Sequence, residues 1–249
     1  MNSNDLGNLT FINTNGVHGL YPDNLFRKVR LFDLFLIFKS DFEFTDYKNN
    51  KIVVQNLTNT VDEINKLKNI YIYIREDARD NTVILDGIVS GYLGKIEISL
   101  TWHDNVILVE KQSLINSLFV HVEGHHNKIN IRKNGMFSSD IEVHLSSTHG
   151  LYDAQGKKKN TKKFIEIGEH VWIGRYVRIL AGAQIGDSAV IGTGALVAGK
   201  VPNNATAAGV PAKVLGKDVF WTMGDWGEDY LANQHTPNHL PAEWHETEN

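Results

Sequence analysis

A repeat of six residues runs without a gap from Ile167 to Pro202 and constrains the fold more than any other feature of the chain. Position one of each hexad is Ile or Val, position five is Val or Ala, and position two is Gly or Ala except at Leu180. The six hexads begin at Ile167, Ile173, Ile179, Ile185, Ile191 and Val197. A period of six fits neither a helix, with about 3.6 residues per turn, nor a two-faced strand. It predicts a solenoid in which each hexad forms one flat side of a prism and three sides close a coil.

The hexad positions predict where each side chain lies. The aliphatic residue at position one points into the prism, and stacked coils bury these residues over one another, because no single coil can cover its own core. The small residue at position two is expected at the corner, where the backbone turns tightly and Gly costs least.

Two stretches beside the repeats carry a resemblance to a known family. His149 lies in the sequence Ser-Ser-Thr-His-Gly-Leu-Tyr-Asp and precedes Trp172 by 23 residues, and the repeats are followed by Ala-Ala-Gly-Val-Pro-Ala-Lys-Val-Leu at 207–215. From about residue 141 to 221, the chain resembles the hexapeptide-repeat O-acetyltransferases, which include the galactoside, maltose, xenobiotic, capsular-polysaccharide and polysialic acid enzymes.

The resemblance implies an all-β fold, a left-handed parallel β-helix. The left hand comes from the resemblance alone, since parallel strands otherwise favour right-handed crossovers. The resemblance also implies a homotrimer with active sites between subunits, and association would cover the apolar lateral faces of a coil stack.

The resemblance makes His149 the catalytic base and places Trp172 in the groove for the acyl donor and the acceptor. A neutral imidazole can take the proton from a sugar hydroxyl as it attacks a thioester. The chain has no cysteine to form an acyl-enzyme, so direct attack in a ternary complex is the simpler course. Asp140, Glu142 and Asp153 are all candidates to orient the imidazole, and the sequence does not choose among them.

The same resemblance implies that acetyl-CoA is the donor and lies along the edge of the coils. Small residues there would let the pantetheine lie along the backbone, and lysines would meet the phosphates. The residues so implied are Arg175, Thr193, Gly194, Ala198 and Gly199, with Lys200, Lys213 and Lys217 for the phosphates. Related enzymes often have Asp where this chain has Gly199-Lys200, so the resemblance implies acetyl-CoA contacts less directly at these two residues.

Changes in residue composition and pattern along the sequence predict three parts. Residues 1–65 form an N-terminal extension in which the run from Leu25 to Lys39 is read as a packed strand or helix, with a membrane-surface helix as the other reading. Residues 66–215 form the β-helix, with short alternating strands first and a polar excursion at 147–163, where binding and catalysis are expected. Residues 216–249 form a tail whose tryptophans suggest that part of it docks on this or a neighbouring subunit.

Composition limits the classes of partner. The net charge is −4, which gives no reason to expect nucleic acid. No apolar run is long enough to span a bilayer, and the N-terminus lacks the order of a signal peptide, so a cytoplasmic protein is expected.

Two other functions remain open from the residues. A γ-class carbonic anhydrase shares the fold and needs zinc histidines at H-x4-H, a spacing found at His121/His126 and at His144/His149. Residues two 18-residue coils before these pairs are Leu85 and Leu108, so no third ligand is in place and no metal is expected. A non-enzymatic scaffold is the other reading. The expectation is an O-acetyltransferase that acts on a carbohydrate, either a surface polysaccharide or its sugar precursor.

Overall fold

The computed structural model describes residues 26–146 and 149–221. Two short helices, α1 (Leu31–Phe38) and α2 (Val61–Leu67), lie in the N-terminal part. The strands are β1 (Phe26–Arg30), β2 (Phe42–Thr45), β3 (Lys51–Gln55), β4 (Ile70–Arg75), β5 (Thr82–Asp86), β6 (Leu93–Leu100), β7 (Val106–Glu110), β8 (Leu114–Glu123), β9 (Lys128–Ile131), β10 (Met136–Phe137), β11 (Ile141–Ser146), β12 (Phe164–Ile167), β13 (Trp172–Ile173), β14 (Arg178–Leu180), β15 (Gln184–Ile185), β16 (Val190–Ile191), β17 (Leu196–Val197), β18 (Lys200–Val201), β19 (Thr206–Ala208) and β20 (Lys213–Gly216). The described chain is therefore mostly β, as predicted.

The repeat region is a three-sided coil of parallel strands. Strands β10, β13, β16 and β19 stack as side 1, β11, β14 and β17 as side 2, and β9, β12, β15 and β18 as side 3. Trp172 pairs in parallel with Val190, and Arg178 pairs with Leu196, so this coil advances the chain by eighteen residues. This arrangement is a β-helix. Its corners are named here by the sides they join: corner 1–2, corner 2–3 and corner 3–1.

The prediction for the interior is confirmed. Every residue at position one and position five of the six hexads is at most 4% exposed. These side chains belong to one continuous cluster of buried residues that also takes in the N-terminal strands. Stacked aliphatic residues are therefore what holds adjacent coils together.

The corner location predicted for position two is confirmed, since Gly168, Gly174, Gly186 and Gly192 each directly follow a strand, but the tight turn itself belongs to another position. The residues with positive φ stand at position four of five hexads: His170, Tyr176, Gly182, Ser188 and Gly194. At the corners, the position-two glycines lie where coils approach one another. A Cβ on Gly174, for example, would lie 2.7 Å from the backbone nitrogen of Thr193 in the next coil. Glycine is needed there for close stacking rather than for a left-handed turn.

The sixth hexad is also out of register. Gln184 pairs with Lys200, a step of sixteen residues, and Val201 pairs with Ile185, a position-one residue. Corner 2–3 is therefore shortened to Ala198 and Gly199 between β17 and β18.

The N-terminal coils are larger and carry a ladder of buried amides. Strand β8 spans two sides, because its start pairs with β10 and its remainder with β11. At corner 2–3, Asn81 donates to Asn50, Asn105 donates to Asn81, and Asn127 donates to Asn105, over 2.8–2.9 Å. All four asparagines are at most 2% exposed. Apart from Asn127 Oδ1, which has no hydrogen-bond partner among the described residues, the ladder satisfies amide groups that a buried corner would otherwise leave unpaired.

The N-terminal end is closed by α1, α2 and two antiparallel pairings. Leu31, Leu34 and Phe35 of α1 are buried in the common core, which agrees with a packed element rather than a membrane-surface helix. Strand β1 pairs with β4 and β2 pairs with β3, both antiparallel. Thr60 caps the N-terminus of helix α2, since its hydroxyl accepts a hydrogen bond from the Glu63 backbone N–H. Within the described ranges, no helix has the length and apolar character needed to cross a membrane.

Parallel stacking already begins at Lys51, where β3 pairs with β5, N-terminal to the boundary suggested at residue 66. Of the predicted extension, residues 1–25 lie outside the described residues, as do residues 222–249 of the tail.

Candidate active site

The excursion leaves the prism after β11, on side 2, and rejoins it at β12, on side 3, so it is an insertion at corner 2–3. Its stem is a small antiparallel hairpin with a bridge between Tyr152 and Lys158. The side chain of Asn160 joins the two ends of the hairpin at its base. It accepts a hydrogen bond from the Leu151 N–H at 2.9 Å and donates one to the His149 carbonyl. The backbone of His149 is therefore hydrogen-bonded to the base of the hairpin, while its side chain is exposed.

Each of the three acidic candidates for orienting His149 has another partner. Asp140 lies 3.6 Å from Arg175, and Glu142 accepts from Arg178 at 2.9 Å. Asp153 accepts backbone N–H bonds from residues 155 and 157 and so closes the turn of the hairpin. The structure therefore assigns each of these carboxylates a local structural contact.

Trp172 faces outward on side 1, as the repeat predicts, and is 39% exposed. It is flanked by a residue from the predicted tail, Trp221, whose ring centroid lies 6.1 Å away. Trp221 stacks on His170 at 4.1 Å with an interplanar angle of 5°, and its indole N–H donates to the His170 carbonyl at 2.8 Å. Trp221 is 5% exposed, so this part of the tail docks on the chain itself.

The residues implied for acetyl-CoA fall on two corners rather than one edge. Arg175, Thr193 and Gly194 lie together at corner 1–2, where the Gly194 N–H donates to the Arg175 carbonyl at 2.7 Å. Ala198 and Gly199 lie at corner 2–3, the same corner as the excursion, and the exposed Lys200 follows them as the first residue of β18.

Both glycines face open space, since a Cβ on Gly194 or Gly199 would meet no atom within 4 Å. Lys213 is exposed on β20, which pairs antiparallel with β19 beside side 1, and the exposed Lys217 follows that strand.

A cluster on side 2 was not predicted as a unit. His121 and His144 are direct partners in adjacent coils, with ring centroids 5.0 Å apart, and Glu123 lies 3.2 Å from His121 Nε2. Burial, and then the neighbouring His121, lowers the pKa of His144 below its ordinary value. The sequence offers histidine pairs at the H-x4-H spacing and predicts no metal, whereas the structure pairs His121 with His144 of the adjacent coil.

A second histidine group lies at corner 2–3 beneath the excursion. The His125 ring is 5.2 Å from Trp102 and 5.0 Å from His103, and Lys163 donates to the His125 carbonyl at 2.6 Å. Burial and the nearby positive groups lower the pKa of His125. His126, of the first H-x4-H pair, is exposed and lies 3.8 Å from Asp104.

Comparison with known proteins gives a family match on the repeats and relatives with similar sequences. The family model for the bacterial transferase hexapeptide (six repeats) matches residues 164–199. Polysialic acid O-acetyltransferase of Escherichia coli O1:K1 / APEC is 32% identical over 123 residues, which cover 49% of this chain and 40% of that protein. Galactoside O-acetyltransferase of Escherichia coli (strain K12) is 51% identical over 51 residues, which cover 20% of this chain and 25% of that protein.

A solved structure agrees in fold. The crystal structure of the polySia specific acetyltransferase NeuO superposes with a TM-score of 0.52 at 22% identity, over 71% of this chain and 86% of that one. The chain thus spans less than half the length of the curated relatives it matches, while the fold likeness extends well beyond the repeats. Residues 164–199 are therefore hexapeptide repeats of the bacterial transferase type, and the resemblance to the hexapeptide-repeat O-acetyltransferases is confirmed.

Proposed function

We propose that this protein is an O-acetyltransferase that moves an acetyl group from acetyl-CoA to a carbohydrate hydroxyl. The observation that carries the proposal is the position of His149, whose backbone is hydrogen-bonded to the hairpin at corner 2–3, where the described repeat coils are interrupted. Relatives named as polysialic acid and galactoside O-acetyltransferases support the reaction class. A fold alone would not, because folds host many functions.

In the proposed reaction, His149 takes the proton of the acceptor hydroxyl as its oxygen attacks the thioester carbonyl. A C–O bond forms, the C–S bond breaks, and the imidazolium returns the proton to the departing CoA sulfur. The chain has no cysteine to form an acyl-enzyme, so direct transfer of the acetyl group to the acceptor is the simpler course and the one proposed. Backbone N–H groups at the coil edge are the proposed donors to the tetrahedral oxyanion.

We propose that a complete site forms between two subunits of a homotrimer of left-handed β-helices. His149 belongs to corner 2–3, and Trp172 lies on side 1, which is the side of the prism opposite that corner. Residues on opposite parts of one rigid prism meet most simply when the corner of one copy faces the side of the next. Such a head-to-tail contact closes into a ring under threefold symmetry.

Acetyl-CoA is proposed to lie in the same groove between subunits. The residues implied for acetyl-CoA lie at two separate corners of one chain, and both corners would then contribute to one binding site. Arg175, Thr193 and Gly194 would come from corner 1–2, and Ala198, Gly199 and Lys200 from corner 2–3 of the neighbour. The open space at Gly194 and Gly199 supports close passage of the pantetheine along the backbone. Lys213 is proposed to meet a phosphate.

The proposed acceptor is a polysaccharide or its sugar precursor, and the proposed location is the cytoplasm, where acetyl-CoA is made. The experiment is thiol release from acetyl-CoA with a panel of sugars and capsular polysaccharides. One acceptor class should stimulate release, and His149→Ala should lower kcat by about 100- to 10,000-fold, the usual contribution of a general base. The exposed His126, at the same corner, supplies the control His126→Ala, which should retain activity. A flat panel, or equal activity of His149→Ala, would overturn the proposal.

A further inference from the structure

The outer surface of side 2 gathers nitrogen and oxygen ligands from two adjacent coils. One ring nitrogen each from His121 and His144, and one carboxylate oxygen of Glu123, lie within 4.8 Å of one another. All three residues are half-buried. The register brings them together, since His121 and His144 are paired across β8 and β11 while Glu123 follows His121 on the same strand face.

The geometry of the two imidazoles suits a shared ion. Their centroids are 5.0 Å apart with an interplanar angle of 80°. With Zn–N bonds of about 2.0–2.1 Å, two imidazoles on a tetrahedral zinc have centroids roughly 5 Å apart. The ring pair is therefore spaced as two ligands of one ion would be.

The hydrogen bonds around the cluster also point to an ion. Among the described residues, the buried Nε2 of His144 has no hydrogen-bond partner, which is costly for a buried polar atom. Glu123, in contrast, is oriented by the Ser146 hydroxyl, which donates to its Oε2 at 2.7 Å. A carboxylate fixed by an outer hydrogen bond is a usual feature of metal ligands.

We propose that His121, Glu123 and His144 form a binding site for Zn²⁺. Two histidines and one glutamate are a ligand set that zinc accepts, with a fourth position left for water. The ion would join adjacent coils where β11 leads into the excursion. This site is distinct from the proposed acetyl-transfer chemistry and does not depend on it.

The test uses untagged full-length protein, treated with a chelator and then titrated with Zn²⁺ alone by calorimetry, with Mg²⁺ as the hard-cation comparison. We expect one Zn²⁺ per chain, a higher midpoint of thermal unfolding with Zn²⁺, and no response to Mg²⁺. Bound Co²⁺ should show visible absorption typical of nitrogen and oxygen ligands. Absence of Zn²⁺ binding would overturn the proposal.

Variants locate the ion. His144→Leu places on side 2 the residue type that its coil partner Leu180 already has, so the fold should tolerate it. His144→Leu and Glu123→Gln should weaken Zn²⁺ binding by more than the roughly 10- to 100-fold expected for the outer-shell variant Ser146→Ala.

The other histidine group, at corner 2–3, supplies the matched control. His126→Ala removes an exposed histidine from that group and should leave Zn²⁺ affinity unchanged. If His126→Ala abolishes binding while His144→Leu and Glu123→Gln retain it, the ion belongs to corner 2–3 and the proposal is wrong.

Discussion

At the scale of single residues, two hexad positions carry different steric demands. Position four takes the left-handed backbone, and side chains as large as His170 and Tyr176 adopt it there. Position two meets the backbone of the next coil, so only a small residue fits where the coils approach most closely. At Gly186, an added Cβ would lie 2.7 Å from both Asn203 Cα and Pro202 C, and nearer still to the Asn203 nitrogen.

Gly186→Ala is therefore expected to destabilise the protein, even though it adds only one methyl group. The Cβ would meet backbone atoms that cannot rotate away, and overpacking of this kind typically costs about 1–3 kcal/mol. Chemical denaturation, monitored by circular dichroism, measures the loss in the free energy of unfolding. Gly199→Ala is the control, since its Cβ would meet no atom within 4 Å and its φ is not positive. Equal stability of the two variants would show that close coil contact does not explain position two.

At the scale of elements, the start of the tail packs against side 1 through Trp221. Trp221 is buried against His170 at the turn that precedes β13, and its ring neighbours Trp172. Two contacts of different kinds, ring stacking and an indole N–H bond, hold it in place. Its position fixes the surroundings of the exposed Trp172 ring in the proposed groove.

Trp221→Ala is expected to raise the KM for acetyl-CoA or for the acceptor by several-fold, with a smaller effect on kcat, because Trp172 would lose its neighbour while His149 is untouched. Steady-state kinetics with each substrate varied in turn measures this. Trp221→Phe keeps a ring to stack on His170 but loses the N–H donor, so its KM should fall between the KM of the wild type and that of Trp221→Ala. An unchanged KM for Trp221→Ala would separate the tail from the groove.

At the scale of the whole molecule, the sequence predicted the coils because a fixed period identifies every inward position. Contacts between coils of unequal length could not be predicted in the same way. The amide ladder joins Asn50, Asn81, Asn105 and Asn127, whose spacings differ, so no period reveals it. His121 and His144 meet for the same reason, through a register that only strand pairing sets. The shortened corner at Ala198 and Gly199 likewise follows from pairing, since the hexads continue through it.

The central claim is that His149 of one subunit works with Trp172 of its neighbour, and mixed oligomers test it most directly. His149→Ala and Trp172→Ala would first be shown to be inactive alone, then co-expressed with different tags so that mixed oligomers can be purified. In a cyclic trimer that contains both variants, whichever is present twice, an intact His149 meets an intact Trp172 at about one third of the interfaces. The account predicts acetyltransferase activity near that fraction of wild type, whereas activity no higher than that of the separate variants would contradict it.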